Sequence, residues 1–118
     1  MKIEDREEGN VLIIRPAEQA LDAYAATSFR ERMAELIQQG HRHIVLDLAV
    51  VNFLDSTGLG AIVSSLKRLE GKGVLVICGA GEMVMDVFRL TRMDRVFPIV
   101  PTIEEALALA HEHARRAA

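Results

Sequence analysis

The sequence predicts an α/β fold, a single domain built on a mixed, mostly parallel sheet of about five strands with about four helices. Three observations lead there. Short runs rich in β-branched residues alternate with segments of helical apolar spacing. Clusters of Gly, Pro and Asn punctuate the junctions. The 118 residues are enough for one core but not for two, so the expected domain spans residues 1–118.

Taken in order, Ile3 to Glu7 alternates and is followed by Gly9-Asn10 and the apolar run Val11 to Ile14. This reads as a hairpin whose second strand lies inside the sheet and ends at Pro16. From Ala23 to Gln39, the residues Ala26, Phe29, Met33, Leu36 and Ile37 recur at helical spacing. Asp22 is the expected N-cap and Gly40 the left-handed residue past the end. Ile44 to Leu48 is a buried strand, and Ala49 to Asp55 a connector. Leu59, Ile62, Val63, Leu66 and Leu69 then mark a second helix, with Ser56 or Thr57 expected as its cap and Gly71-Lys72-Gly73 as its stop. Val74 to Cys78 is the next strand, and Gly79-Ala80-Gly81 opens a short helix from Glu82 to Leu90. Phe97 to Val100 is a weaker edge strand, the position that tolerates Pro98. Thr102 and Glu105 form a Thr-x-x-Glu capping box for a last helix with the stripe Ile103, Ala106, Leu107 and Ala110.

Composition removes several function classes. The net charge is -3, which provides no electrostatic footprint for nucleic acid, and aromatics make up only 4% of the chain, too few for a base-stacking surface. No apolar run is long enough to cross a bilayer, and the first residues lack a signal-peptide pattern. The expected location is the cytoplasm, with no membrane insertion. A lone Cys78 agrees with a reducing compartment. No broad apolar stripe demands a dimer, so a monomer is expected when the chain is free.

The most unusual segment is Asn52 to Gly60, which places hydroxyls and small residues at the start of a helix that follows a buried strand. Ligands commonly bind at such ends. Ser56 or Thr57 could simply cap the helix, and Gly58 and Gly60 could simply allow close packing. Each glycine lowers helix stability by about 1 kcal/mol relative to alanine, so something other than propensity keeps them there. Catalysis by Ser56 is not expected, because no Gly-x-Ser-x-Gly elbow surrounds it and no His is near in sequence. His41, His43, His111 and His113 read as solvated surface residues, and no carboxylate or Cys completes a metal set at recognisable spacing. Neither an enzyme activity nor a cofactor is expected.

Cys78-Gly79-Ala80-Gly81 fails as a phosphate loop, since Val84 occupies the position where either an arginine or a third glycine would be needed. Within the short helix, Met85 points away from the stripe Val84, Val87 and Phe88, and an exposed Met would suit a partner surface. A phosphoacceptor aspartate, Asp47 or Asp55, is the rival chemistry. It lacks an acidic pair after the first parallel strand and a lysine after the last, so there is no Mg²⁺ site to assist transfer.

Ile44 to Leu48 leading through Phe53-Leu54-Asp55-Ser56-Thr57-Gly58-Leu59-Gly60, then a helix bearing Lys and Arg, Gly71-Lys72-Gly73 and a second apolar strand, resembles the STAS family of single-domain anti-sigma factor antagonists over the whole chain. Leu21-Asp22 also fits that pattern. The resemblance implies a partner switch. The unphosphorylated protein captures an anti-sigma factor that is also an ATP-dependent serine kinase, so that a sigma factor is released. Phosphorylation ends the capture, and a serine phosphatase resets it. By position, Ser56 matches the phosphorylated serine. Asp22, Asp55, Thr57, Gly58 and Leu59 match the neighbouring contact surface, to which Met85 is added. The family usually has a glycine before Leu-Asp, where this chain has Gln19-Ala20. That departure leaves open a STAS adaptor or sensor in a non-sigma switch, or one serving lipid transport or secretion, with Ser56 acting only as a cap.

Overall fold

The computed structural model describes residues 1–117. In chain order it contains β1 (Ile3–Glu8), β2 (Val11–Pro16), β3 (Ala20–Leu21), α1 (Ala23–Gln38), β4 (His43–Asp47), β5 (Phe53–Leu54) and α2 (Ser56–Leu69). Then follow β6 (Val74–Cys78), α3 (Glu82–Leu90), a 3-10 turn (Met93–Arg95), β7 (Ile99–Val100) and α4 (Ile103–Ala117). The main sheet has the order β1-β2-β4-β6-β7. Only the β1–β2 hairpin is antiparallel, turning at Gly9 with φ 60; the other pairs are parallel. The predicted mixed, mostly parallel five-stranded sheet with four helices is what forms.

Because strand side chains alternate, the parallel strands feed two cores. Leu12, Ile14, Ile44, Leu46, Leu75 and Ile77 face α1, α2 and α3, whose Phe29, Met33, Ile62, Leu69, Val84 and Phe88 fill the larger core. Val11, Ile13, Val45, Val76 and Cys78 face α4 through Ala106 and Ala110. The Cys78 thiol is pushed up to about 12, first by burial and then by the carboxylates of Asp47 and Glu104, so it is held as an unreactive apolar group.

Away from the candidate site, the structure departs from the sequence reading at four places. The Ala49–Asp55 connector is not wholly irregular. Its Phe53–Leu54 pairs in parallel with Ala20–Leu21 as a second, two-stranded sheet. The edge strand is cut to Ile99–Val100 because Phe97 turns inward, its ring 6.1 Å from that of Phe88. The α4 stripe continues to Ala114, with Ile103 and Leu107 only partly buried, and Thr102 Oγ1 accepts from the Glu105 amide at 3.2 Å, one half of the expected capping box. His43 and His113 are only partly exposed. Their rings pack 5.1 Å apart between β4 and α4, with His43 Nε2 and His113 Nδ1 buried and unpartnered.

Candidate functional site

The small β3–β5 sheet exists to bring two helix starts together. Leu21 pairs with Leu54, so the residues that follow, Asp22 and Asp55, leave the two strands side by side. Each then acts as an N-cap in extended backbone. Asp22 Oδ1 accepts from the amides of Tyr24 at 3.1 Å and Ala25 at 3.2 Å. Asp55 Oδ1 accepts from Gly58 at 2.8 Å, and its Oδ2 reaches across to the Ala23 amide at 3.2 Å. One carboxylate thus ties α1 to α2. Satisfying orphan amides in this way is worth about 1 kcal/mol per cap.

The expected cap of α2, Ser56 or Thr57, is therefore corrected. Asp55 makes the capping bond, and both hydroxyl residues lie inside the first turn, exposed to solvent. Their side chains are left free of that duty. The glycines also separate. Gly58 is buried, and a Cβ there would lie 2.0 Å from the Leu21 carbonyl oxygen, so this glycine lets α2 sit against β3. Gly60 is exposed, with nothing within 4 Å of a Cβ. Leu59 is nearly buried and joins the larger core.

Asp22, Asp55, Ser56, Thr57, Gly58 and Leu59 thus share one corner of the molecule, with Ser56 and Thr57 as its outward groups. Met85 does not join them. It is half-buried against the larger core and lines a separate depression with Ala80, Arg89 and Pro101. The exposed methionine of α3 is Met83, at 68%. Two residues of the corner were missed in the sequence: Tyr24, 97% exposed beside the Asp22 cap, and Phe53, half-exposed on β5. The available signal was that Tyr24 lies off the Ala26-Phe29-Met33 stripe. Ser56 also opens one end of a groove of about 500 Å³ that runs along α2 past Leu59, Gly60, Val63 and Ser64 to Lys67, walled by Thr91 and Met93.

Asp47, the other aspartate eligible as a phosphoacceptor, is 9% exposed. It accepts from the Ala49 amide at 3.0 Å and faces Arg15 Nε at 3.9 Å. No cluster of three metal-ligating side chains occurs among the described residues, and no helix among them is long and apolar enough to cross a membrane.

The profile of the STAS domain matches residues 2–106. The chain belongs to the STAS domain family. It is 35% identical over 103 residues to the anti-sigma F factor antagonist of Paenibacillus polymyxa, covering 86% of this chain and 85% of that one. Among solved STAS structures, an anti-sigma-factor antagonist domain protein from Planctomyces limnophilus is 28% identical with a TM-score of 0.76, covering 92% of this chain and 96% of the other. The anti-sigma factor antagonist SpoIIAA of Bacillus shares the fold at 22% identity. Its unphosphorylated form gives a TM-score of 0.79 over 94% of this chain and 97% of that one, and its phosphorylated form 0.69 over 91% and 97%.

Proposed function

We propose that this chain is an anti-sigma factor antagonist acting as a partner switch. Unphosphorylated, it captures an anti-sigma factor that is also an ATP-dependent serine kinase and so frees a sigma factor. Phosphate on Ser56 ends the capture, and a serine phosphatase restores it. The observation that carries this reading is the exposed Ser56 in the first turn of α2, spared from capping by Asp55. In support, a protein of the same fold, SpoIIAA, is known in both phosphorylated and unphosphorylated forms.

The electrostatics make the switch a matter of the interface rather than of the fold. A phosphate adds about -2 charge, and at the N-terminal end of a helix it gains roughly 0.3 to 1 kcal/mol from the backbone dipoles. The fold tolerates it. Asp55 is pinned by two amides and cannot swing away, so the added charge stands beside a fixed carboxylate. A partner carboxylate about 6 Å from the phosphate would be repelled by on the order of 4 kcal/mol at an effective dielectric of about 20, before screening. That exceeds the dipole gain and corresponds to roughly a thousandfold loss of affinity.

The test uses the anti-sigma factor kinase of the same genome. With ATP, mass mapping is expected to place phosphate on Ser56. The Ser56→Ala variant should bind the kinase and resist modification, and Ser56→Asp should bind poorly. Equal affinity for the two variants, or phosphate only at another residue, would sink the reading.

A further inference from the structure

We infer that Asp55 is a positioning residue for the switch serine, acting through the amide of Ala23; the inference rests on the switch reading above. The first ground is how the carboxylate is shared. Oδ1 caps its own helix at the Gly58 amide, 2.8 Å away, and Oδ2 leaves that helix for the Ala23 amide at 3.2 Å, 32 residues earlier in the chain. Asp22, the matching cap of α1, stays on its own helix, with Oδ1 accepting from Tyr24 and Ala25. Among the described residues, Asp55 is the one hydrogen-bond partner of the Ala23 amide.

The second ground is how little else joins the two helix starts. β3 and β5 are two residues each, and beyond their last pair, Leu21 with Leu54, the link from the Asp55 amide to the Leu21 carbonyl stretches to 3.5 Å, the outer limit of a hydrogen bond. The helix bodies are locked by Phe29, Met33 and Ile62, all fully buried, whereas Ala23, Tyr24, Ser56 and Thr57 stand outside that core. The packing of Gly58 against the Leu21 carbonyl limits how closely α2 approaches. A hydrogen bond is directional and fixes orientation as well. Where the chain parts into α1 and α2, the shortest tie is therefore the side-chain bond of Asp55.

The third ground is adjacency. Ser56 follows Asp55 directly and is the first residue of α2, so a turn of the Asp55 backbone reaches Ser56 through one stiff, planar peptide unit. Phosphoryl transfer is chiefly a matter of aligning the attacking hydroxyl, and a misplacement of about 1 Å costs on the order of a hundredfold in rate. Each helix start keeps its own cap when the cross-bond is broken, so the surface offered for docking persists. What is lost is the alignment of the hydroxyl, and the loss falls on kcat rather than on KM.

The bond can be removed from either end. Ala23→Pro deletes the donor and leaves the Asp55 charge and its Gly58 bond untouched. Proline suits this place, because Ala23 is exposed at the first position of α1 and Asp22 before it is extended, with φ -118 and ψ -169. Asp55→Asn keeps a capping oxygen for Gly58 and turns a second donor toward Ala23. Both variants should melt within a few degrees of the wild type. With ATP and the anti-sigma factor kinase of the same genome, each should lower kcat for Ser56 phosphorylation about tenfold, with KM changed less than about twofold. The double variant should be no slower than Asp55→Asn alone, because both changes remove one bond. In amide exchange, Ala23 should be protected in the wild type and unprotected in Asp55→Asn.

If the wild type is phosphorylated on Ser56 and Ala23→Pro matches it in kcat, the positioning role is overturned and the switch stands. A rise in KM at unchanged kcat would assign the bond to docking, and effects that multiply in the double variant would show Asp55 acting without Ala23; either result overturns the inference. An unprotected Ala23 amide in the wild type overturns it without any kinase. If Ala23→Pro fails to fold, the outcome is read from Asp55→Asn, whose slower kcat must coincide with an unprotected Ala23 amide at an unchanged melting temperature. If the wild type is not phosphorylated on Ser56 at all, the switch falls and the inference with it.

Discussion

The two sides of the sheet are packed with different materials. The side bearing α1, α2 and α3 is filled by Phe29, Met33, Leu36, Ile62, Leu69 and Phe88, all at most 2% exposed. The α4 side is closed mainly by Ala106, Ala110 and Ala114, with the His43–His113 pair near the end of the helix. Burying a large apolar side chain stabilises by roughly 1.5 to 3 kcal/mol, and an alanine methyl by far less. The candidate site therefore stands on the firmly packed side, where Asp55 and Gly58 fix two helix starts to within a hydrogen bond. The lesson is that the switch surface is a rigid platform, and that α4 is the helix expected to open first.

The contrast is broken or sharpened most strongly by paired truncations. Phe29→Ala should cost about 3 to 5 kcal/mol, and Ala110→Gly on the other side about 1 to 2 kcal/mol, both read from urea midpoints. Similar losses would remove the distinction between the sides. Next in size are the two glycines of α2. Gly58→Ala should cost about 1 to 3 kcal/mol because the new methyl meets the Leu21 carbonyl, whereas Gly60→Ala should gain up to about 1 kcal/mol. If both stabilise, α2 is not pressed against β3 as described.

The smallest effect is one of pH. His43 is held below its ordinary range, first by burial and then by the nearby His113. The unfolded chain therefore takes up a proton at a pH where the native state does not, so this histidine favours folding above about pH 6.5. As pH falls below that value the contribution is lost, until His43 itself titrates and the loss levels off. Amide exchange in α4 should quicken over this window, and His43→Leu should flatten the dependence. A wild-type α4 indifferent to acid would show that the pair carries no such linkage.

Much of the fold was legible because its signals are local. The stripe Ala26-Phe29-Met33-Leu36-Ile37, the β-branched run Val74 to Ile77 and the Asp22 cap each depend on spacing within a few residues. At the corner, Asp55-Ser56-Thr57 offers three cap-competent residues in a row, and sequence cannot choose among them. The choice falls to Asp55 because pairing of Leu54 with Leu21 holds the chain extended up to that residue. The exposure of Met85 was misjudged for a related reason, since a helical wheel does not reveal which neighbouring element covers a flank. His43 and His113 meet only because α4 folds back over β4.

The sequence by itself determined the alternation of strands and helices, the two-sided burial of the sheet, the family resemblance and the segment from Asp55 to Gly60 as the place of interest. Those follow from periodicity, propensity and motif, which are properties of short windows. Tertiary structure alone decided that Asp55 caps and clamps, that Gly58 is spent on packing while Gly60 stays open, and that Ser56 faces solvent at the head of a groove along α2. Each of these depends on which distant backbone occupies the neighbouring space, and only the folded chain places Leu21 against Gly58 and Thr91 and Met93 alongside α2.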